Sequence, residues 1–371
     1  MRILHCLRAP VGGLFRHVLD LAAEQAKSGH AVGILADSSV DDRLTGPKFA
    51  GVAPLLQLGI HRTSMSRQPG LGDLQAYSAV VSCARDLDLD VLHGHGAKGG
   101  AYARLAARSL RAHGQRTKAF YTPHGGSLNY KPGTPQSRVF LGVERALERY
   151  TSGLIFESTY ASRAYSERVR VPAVPQRVVP NGLQPADFIP AQHGSNATDI
   201  VFVGELRPIK GIEVLIEALA ELNRERPVTA TIVGSGPDTE ALKARVAALG
   251  LSNVITFTGA LPAREAFNRG RVMAVPSLAE SFPYVVLEAA AAGVPLISTN
   301  VGGIPEIVAE TDTDLIEPAS VAALAAALRD TLANPGIAAA KAKRLRDNVQ
   351  RKFTVAGMTA SIVDFYASTS R

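Results

Sequence analysis

The chain has 371 residues, 46% of them hydrophobic, which is enough apolar mass for two domains of ordinary size. Its net charge of +7 admits anionic partners. The absence of Trp, of any Lys/Arg tract and of aromatics interleaved with the basic residues excludes nucleic acid from the expected ones. Only Cys6 and Cys83 are present, far apart, which excludes a disulfide scaffold or a cysteine zinc site and fits a reducing compartment.

No apolar run reaches about 18 residues, so no membrane span is expected. The first eight residues are interrupted by charge too soon for a signal peptide. Arg2–Leu7 reads as a short buried strand. Pro10-Val-Gly-Gly13 is a tight turn, residues 14–28 have helical periodicity ending at Gly29, and residues 31–36 form the next strand. Strand, turn, helix, strand at this spacing is a βαβ unit, hence a parallel, doubly wound sheet. Gly12 and Gly13 lie at the carboxyl end of a strand, where such sheets bind ligands. The turn alone also accounts for them.

Residues 40–70, with scattered Pro and Gly, are expected to be irregular and to line a cleft. Residues 74–87 read as a helix and 90–93 as a strand. Asp88-Leu-Asp90 has the form of a D-x-D metal motif, but between a helix and a strand it reads as a turn, and no metal is expected. Residues 98–118 carry Lys98, Arg104, Arg108, Arg111, Arg116 and Lys118, with no acid between Asp90 and Glu144. That is either a solvated basic face or a helix resting on an anionic membrane surface, where each cation is worth ~1 kcal/mol. The membrane reading is the one favoured. A strand over 120–122 runs into Pro123-His124-Gly125-Gly126, which exposes the histidine. Helices follow over 139–150 and 160–169, with strands over 153–157 and 177–179, and Pro180-Asn181-Gly182 closes this half.

Residues 183–198 lack periodicity and read as a linker, after which the α/β alternation restarts. Val203-Gly-Glu-Leu-Arg-Pro-Ile-Lys-Gly211 followed by a helix over 212–222 is a phosphate-grasping arrangement, with Arg207 and Lys210 as its cations. Cations at a helix start suit the dipole poorly unless an anion joins them. Gly234-Ser-Gly236 turns into a helix, but position 239 is Thr, so no dinucleotide fingerprint is read. A strand over 254–259 precedes Ala260 and Leu261.

The densest chemistry is Glu280-Ser-Phe-Pro-Tyr-Val-Val-Leu-Glu288. Ser281 is an N-cap candidate, Pro283 suits a first helical turn, and Gly293 with Pro295 ends the helix. Amides near Ser281, Phe282, Tyr284 and Val285 can attract phosphate, while the two carboxylates can accept bonds from sugar hydroxyls. That suits a sugar–diphosphate–ribose ligand. An N-capped amphipathic helix with two solvated acids fits the spacing as well. The remaining strand over 295–299 and helices over 321–332, 338–353 and 358–366 complete the chain.

Taken together, the Gly-Gly loop, Pro-His-Gly, Pro-Asn-Gly, the Lys-Gly turn and the E-x7-E segment resemble the family-four retaining glycosyltransferases over nearly the whole chain. The resemblance implies the GT-B fold, two facing Rossmann-like domains with an interdomain cleft. Residues 1–182 would bind the acceptor, 183–198 link, 199–350 bind the nucleotide sugar, and 351–371 form a helix returning to the first domain. It implies transfer of a sugar from a nucleotide sugar to an acceptor hydroxyl with retention, without metal or cofactor. Glu280, His124 and Lys210 would be catalytic. Glu280 and His124 would meet the donor sugar, Lys210 with Arg207 the diphosphate, Glu288 the ribose and Leu261 the nucleobase. Gly12 and Gly13 would lie against the donor phosphate and the acceptor.

The sequence departs from the family at Glu205, where an Arg is usual, and at Pro283, where many relatives have Gly. These departures keep open a non-catalytic nucleotide-sugar-binding regulatory or scaffold subunit. A nucleotide-sugar epimerase of the same fold is the other alternative. The implied setting is cytoplasmic, peripheral on the inner membrane face, in bacterial cell-surface polysaccharide or glycolipid synthesis with a sugar or lipid-linked acceptor.

Overall fold

The computed structural model describes residues 1–39, 45–66, 68–126 and 133–369. The chain divides into two units, Met1–Gly182 with Val355–Arg371, and Leu183–Thr354.

In the first unit, short apolar runs alternate with amphipathic stretches in the βα rhythm that forces parallel pairing. The elements are β1 (Arg2–Leu7), α1 (Gly12–Lys27), β2 (Ala31–Asp37), α2 (Thr45–Val52), β3 (Gly59–Thr63), α3 (Gly72–Asp86), β4 (Val91–His95), α4 (Gly96–Ala112), β5 (Lys118–Thr122), α5 (Pro135–Leu147), β6 (Gly153–Phe156), α6 (Thr159–Arg168) and β7 (Gln176–Val178). The sheet order is β3-β2-β1-β4-β5-β6-β7, every pair parallel. The order reverses direction between β1 and β4, so a crevice opens outside their carboxyl ends.

The second unit repeats the plan with β8 (Thr198–Val203), α7 (Ile212–Glu225), β9 (Ala230–Val233), α8 (Thr239–Ala248), β10 (Ile255–Gly259), α9 (Ala263–Phe267), β11 (Gly270–Val275), α10 (Tyr284–Ala291), β12 (Leu296–Thr299), α11 (Ile304–Val308), β13 (Leu315–Ile316), α12 (Val321–Ala333) and α13 (Pro335–Lys352). Its parallel sheet runs β10-β9-β8-β11-β12-β13, with the reversal between β8 and β11. The last helix, α14 (Val355–Ser368), belongs to the first unit. There Met358, Ile362 and Phe365 pack with Ile3, Leu21, Val91 and Phe120. No helix among the described residues is long and apolar enough to cross a membrane.

Two expectations are corrected here. The stretch 40–70, expected to be irregular, holds α2 and β3, although residues 40–44 and 67 lie outside those described. Its Gly and Pro residues mark element ends, and β3 gains its order by pairing with β2. The expected linker 183–198 is packed chain at its start. Leu183 and Phe188 are buried in the core of the second unit, Pro185–Phe188 form a 3-10 turn, and Arg346 donates to the Phe188 carbonyl at 2.6 Å. Two large apolar side chains override the local Pro-rich signal.

Candidate functional site

In the second unit the crevice at the β8/β11 reversal receives the loops that follow those two strands. The β8 loop ends in a 3-10 turn, Pro208–Lys210, and then Gly211 at φ +67°. A Cβ on Gly211 would stand 2.0 Å from the Pro276 carbonyl oxygen, so only glycine lets this loop lie against the β11 loop. The Leu278 amide donates to the Ile209 carbonyl at 2.8 Å, stitching the two loops together. That stitch delivers Lys210 to Glu280. Lys210 Nζ lies 2.6 Å from Glu280 Oε1, and Ser277 Oγ donates to the same oxygen at 2.7 Å. Lys210 and Glu280 are largely shielded, with side chains 23% and 10% exposed. Gly302, at φ +60°, clamps the far side: a Cβ there would stand 1.6 Å from the Glu280 carbonyl oxygen. Two predicted residues 70 positions apart thus form one constellation at the switch point.

The E-x7-E helix starts slightly later than its sequence suggests. Pro283 is the N-cap itself, with φ −74° and ψ 123°, and α10 begins at Tyr284. Proline brings no amide, and the Val286 amide already donates to the Pro283 carbonyl at 3.2 Å. The amides of Ser281, Phe282, Tyr284 and Val285 surround this turn. Glu288 sits one turn into α10 and lines a small cavity with Asp187, Arg264 and Phe267. Leu261 packs against the unit's core. Arg207 pairs with Glu205 at 3.3 Å, with about half of each side chain exposed. The residue that replaces the usual arginine therefore neutralises its proposed substitute.

The first unit's crevice carries a different chemistry. Parallel pairing sets His5 of β1 opposite His93 of β4, and the two-residue strand period puts His95 on the same face. His17 and Gln25, eight apart on α1, lie along one helical face. His124 follows β5, at φ +50° between the strand and two glycines, and stays partly exposed. His5 Nε2 lies 2.8 Å from Gln25 Oε1, His5 Nδ1 lies 3.0 Å from His95 Nε2, and His95 Nδ1 lies 3.1 Å from His124 Nε2. His93 meets the Tyr366 hydroxyl at 2.6 Å and Thr122 Oγ1 at 2.9 Å. Burial keeps all five rings neutral. It pushes His5 down to about 4 and His124 to about 3, and holds His17, His93 and His95 well below the usual histidine range.

Only His124 was expected at this site. Sequence reading missed the other four, although His93-Gly-His95 carried the signal: two histidines at strand spacing cannot both be surface residues on a strand buried throughout. Gly12 and Gly13 are exposed at the start of α1, beyond the end of β1, and Gly12 has φ +64°.

The basic stretch 98–118 is corrected. Arg104 is fully buried, and Lys98 bridges Asp73 at 2.6 Å. Arg111 donates to the Thr117 and Tyr150 carbonyls, and Lys118 to those of Tyr366 and Thr369. Four of the six cations are held by acceptors within the unit, which leaves Arg108 and Arg116 as the exposed cations of this stretch. Asp88, at φ +46°, and Asp90, whose carboxylate accepts from the Arg2 amide at 2.7 Å, form the turn expected of them.

The pattern of Glycosyltransferase Family 4 matches residues 11–187, and that of Glycosyl transferases group 1 matches residues 185–352. The chain is 28% identical to a glycogen synthase of Mycobacterium tuberculosis over 95% of this chain and 91% of that protein. In structure it resembles the sucrose-phosphate synthase of Thermosynechococcus elongatus, with a TM-score of 0.80, 21% identity, and 99% and 98% of the two chains covered. It also resembles Anabaena HepE in complex with UDP-glucose, with a TM-score of 0.79, 22% identity, and 99% and 100% covered. The two family patterns follow each other in chain order, and each falls on one Rossmann-like sheet. The chain therefore belongs to glycosyltransferase family 4, with the GT-B fold of two parallel-sheet units.

Proposed function

We propose that this glycosyltransferase moves a sugar from a nucleoside-diphosphate donor to an acceptor hydroxyl with retention at the anomeric carbon. The observation that carries the reading is the Lys210–Glu280–Ser277 constellation at the second unit's switch point. Both side-chain bonds go to Glu280 Oε1, so Oε2 is the oxygen offered to a sugar hydroxyl. The Lys210 ammonium, with three donors, serves the carboxylate and a phosphate oxygen together. The amides at the start of α10 add a second anion-attracting element. In this reading the departing diphosphate is stabilised by fixed donors rather than by a metal ion. Glu288 takes the ribose and Leu261 the base, as the family resemblance proposes. His124 offers the donor sugar a neutral imidazole, which bonds to a hydroxyl without adding charge. Arg207, tied to Glu205, is not needed.

The names of the similar proteins, a glycogen synthase and a protein crystallised with UDP-glucose, support a nucleotide-sugar donor and a glycan acceptor. The test is product analysis with UDP-, GDP- and ADP-sugars and a panel of glycan and lipid-linked acceptors, read by NMR at the anomeric centre. The expected product keeps the donor's configuration and is lost in Glu280→Gln. An inverted product refutes retention. An altered nucleotide sugar formed without acceptor makes the protein an epimerase. Nucleotide binding without any turnover makes it a non-catalytic subunit.

A further inference from the structure

His17, His95 and His124 each offer one ring nitrogen, and the three nitrogens lie within 4.8 Å of one another. Their ring centroids are separated by 4.8 Å (His17–His124), 5.3 Å (His95–His124) and 5.5 Å (His17–His95). A tetrahedral ion bound at about 2.0–2.1 Å by three imidazoles sets donor nitrogens about 3.3 Å apart and ring centres about 5 Å apart. His95 Nδ1 and His124 Nε2 already stand 3.1 Å apart.

The protons are arranged to suit such an ion. His17 Nδ1 lies 2.9 Å from Asn181 Oδ1, an acceptor, so the ring carries its proton there. Its Nε2 lone pair is left inside the protein, buried and with no hydrogen-bond partner. His5 donates from Nε2 to Gln25 Oε1, so His5 Nδ1 accepts from His95 Nε2, and the lone pair of His95 rests on Nδ1. An oriented oxygen or ring behind each ligand is the outer shell that metal-binding histidines use. An ion replaces the proton of the His95–His124 bond, which passes to His124 Nδ1, so every ligand remains a neutral imidazole. The other compact triplet, His5–His93–His95, is closed, because both nitrogens of His93 are held by Tyr366 and Thr122 and both of His5 by Gln25 and His95.

We propose that His17, His95 and His124 form a three-histidine site for a divalent transition-metal ion of the zinc class, oriented by Asn181 and by the His5–Gln25 pair. Three imidazoles without a carboxylate favour zinc, cobalt or nickel over magnesium or calcium. The partly exposed His124 marks the entrance and the open fourth position. All three ligands belong to the first unit, and the test does not depend on turnover.

The experiment is a titration of the chelator-treated, tag-free protein with Co(II), read by visible absorption, followed by displacement with Zn(II) and metal analysis after gel filtration. One ion per chain with the intense bands of tetrahedral cobalt is expected. His17→Gln should weaken binding at least 100-fold, whereas His93→Gln, in the closed triplet, should keep it within threefold. Asn181→Ala keeps all three ligands and should weaken binding about 10–100-fold. It decides the matter if His17→Gln does not fold. Absence of tetrahedral bands overturns the proposal. So does equal affinity in the wild type and Asn181→Ala, or a loss in His93→Gln as large as that in His17→Gln.

Discussion

Glu144→Gln tests the reinterpretation of the basic helix most directly. Arg104 and Glu144 have side chains 0% and 4% exposed, and Arg104 Nη2 lies 2.8 Å from Glu144 Oε2. The Tyr121 hydroxyl donates to Glu144 Oε1 at 2.8 Å. The guanidinium lies over the Tyr121 ring, 4.0 Å from its centroid, and Arg104 Nε donates to the Gly100 carbonyl at 2.9 Å. Glutamine keeps the shape of Glu144 but leaves a buried cation without its counter-charge, which costs about 3–5 kcal/mol. In a unit of this size that lowers the melting temperature by roughly 10 °C. Tyr121→Phe removes only one donor to the carboxylate and should cost about 1–3 kcal/mol. The double replacement Arg104→Met with Glu144→Leu removes both charges and should recover most of the loss.

The assay is urea unfolding followed by two probes, since two units need not unfold together. The reasoning fails if Glu144→Gln stays within about 1 kcal/mol of wild type, below the buried-pair range. It fails equally if the double variant loses the sum of the singles. A surface-basic helix predicts the opposite pattern: Arg104→Gln silent in urea but costly for binding to anionic liposomes.

The other predictions concern the second unit. Lys210→Met should weaken nucleoside-diphosphate binding, measured by calorimetry, roughly 10–100-fold, the loss of a charge-assisted bond of about 1.5–3 kcal/mol. Its melting temperature should hold, because Lys210 is not part of the core. Gly302→Ala drives a Cβ to within 1.6 Å of the Glu280 carbonyl at a left-handed φ, so the loop must shift. It should cost about 1–3 kcal/mol in urea and slow transfer at least tenfold by displacing Glu280. Arg207→Ala, which breaks only a half-exposed pair, should change stability by under about 1 kcal/mol and nucleotide affinity by under about threefold. A larger affinity loss would return Arg207 to the diphosphate.

What was legible in the sequence is what local physics controls. Apolar runs of four to seven residues between Gly and Pro stops can only pair as buried parallel strands, and the two βα series follow from them. Lys210 and Glu280 are readable from local patterns, a Gly turn with cations before a helix and two carboxylates flanking a helix start, and topology brings the loops that carry them together. What stayed hidden depends on partners remote in the chain. Arg104 reads as one of six surface cations until α5 brings Glu144 against it from 40 residues away. Leu183 and Phe188 read as linker until the second unit's core receives them. The histidines lie on β1, α1, β4 and the turn after β5, and only His93 and His95 are close neighbours in the sequence.

The two crevices occupy equivalent topological positions, yet their chemistry divides sharply. The second unit sets a cation, a carboxylate and a helix start at its reversal, which is what a diphosphate and a sugar hydroxyl require of a protein. The first sets five neutral imidazoles there, poor partners for phosphate and good partners for hydroxyls or a soft cation. Duplicated architecture therefore does not imply two donor sites. Phosphate affinity follows the fixed charge, so electrostatics favour the second unit for the diphosphate of the donor proposed above. The first unit is left to hydroxyls or a soft cation, while Lys98 and Arg104 in the first unit and Arg207 and Lys210 in the second are each paired with a carboxylate.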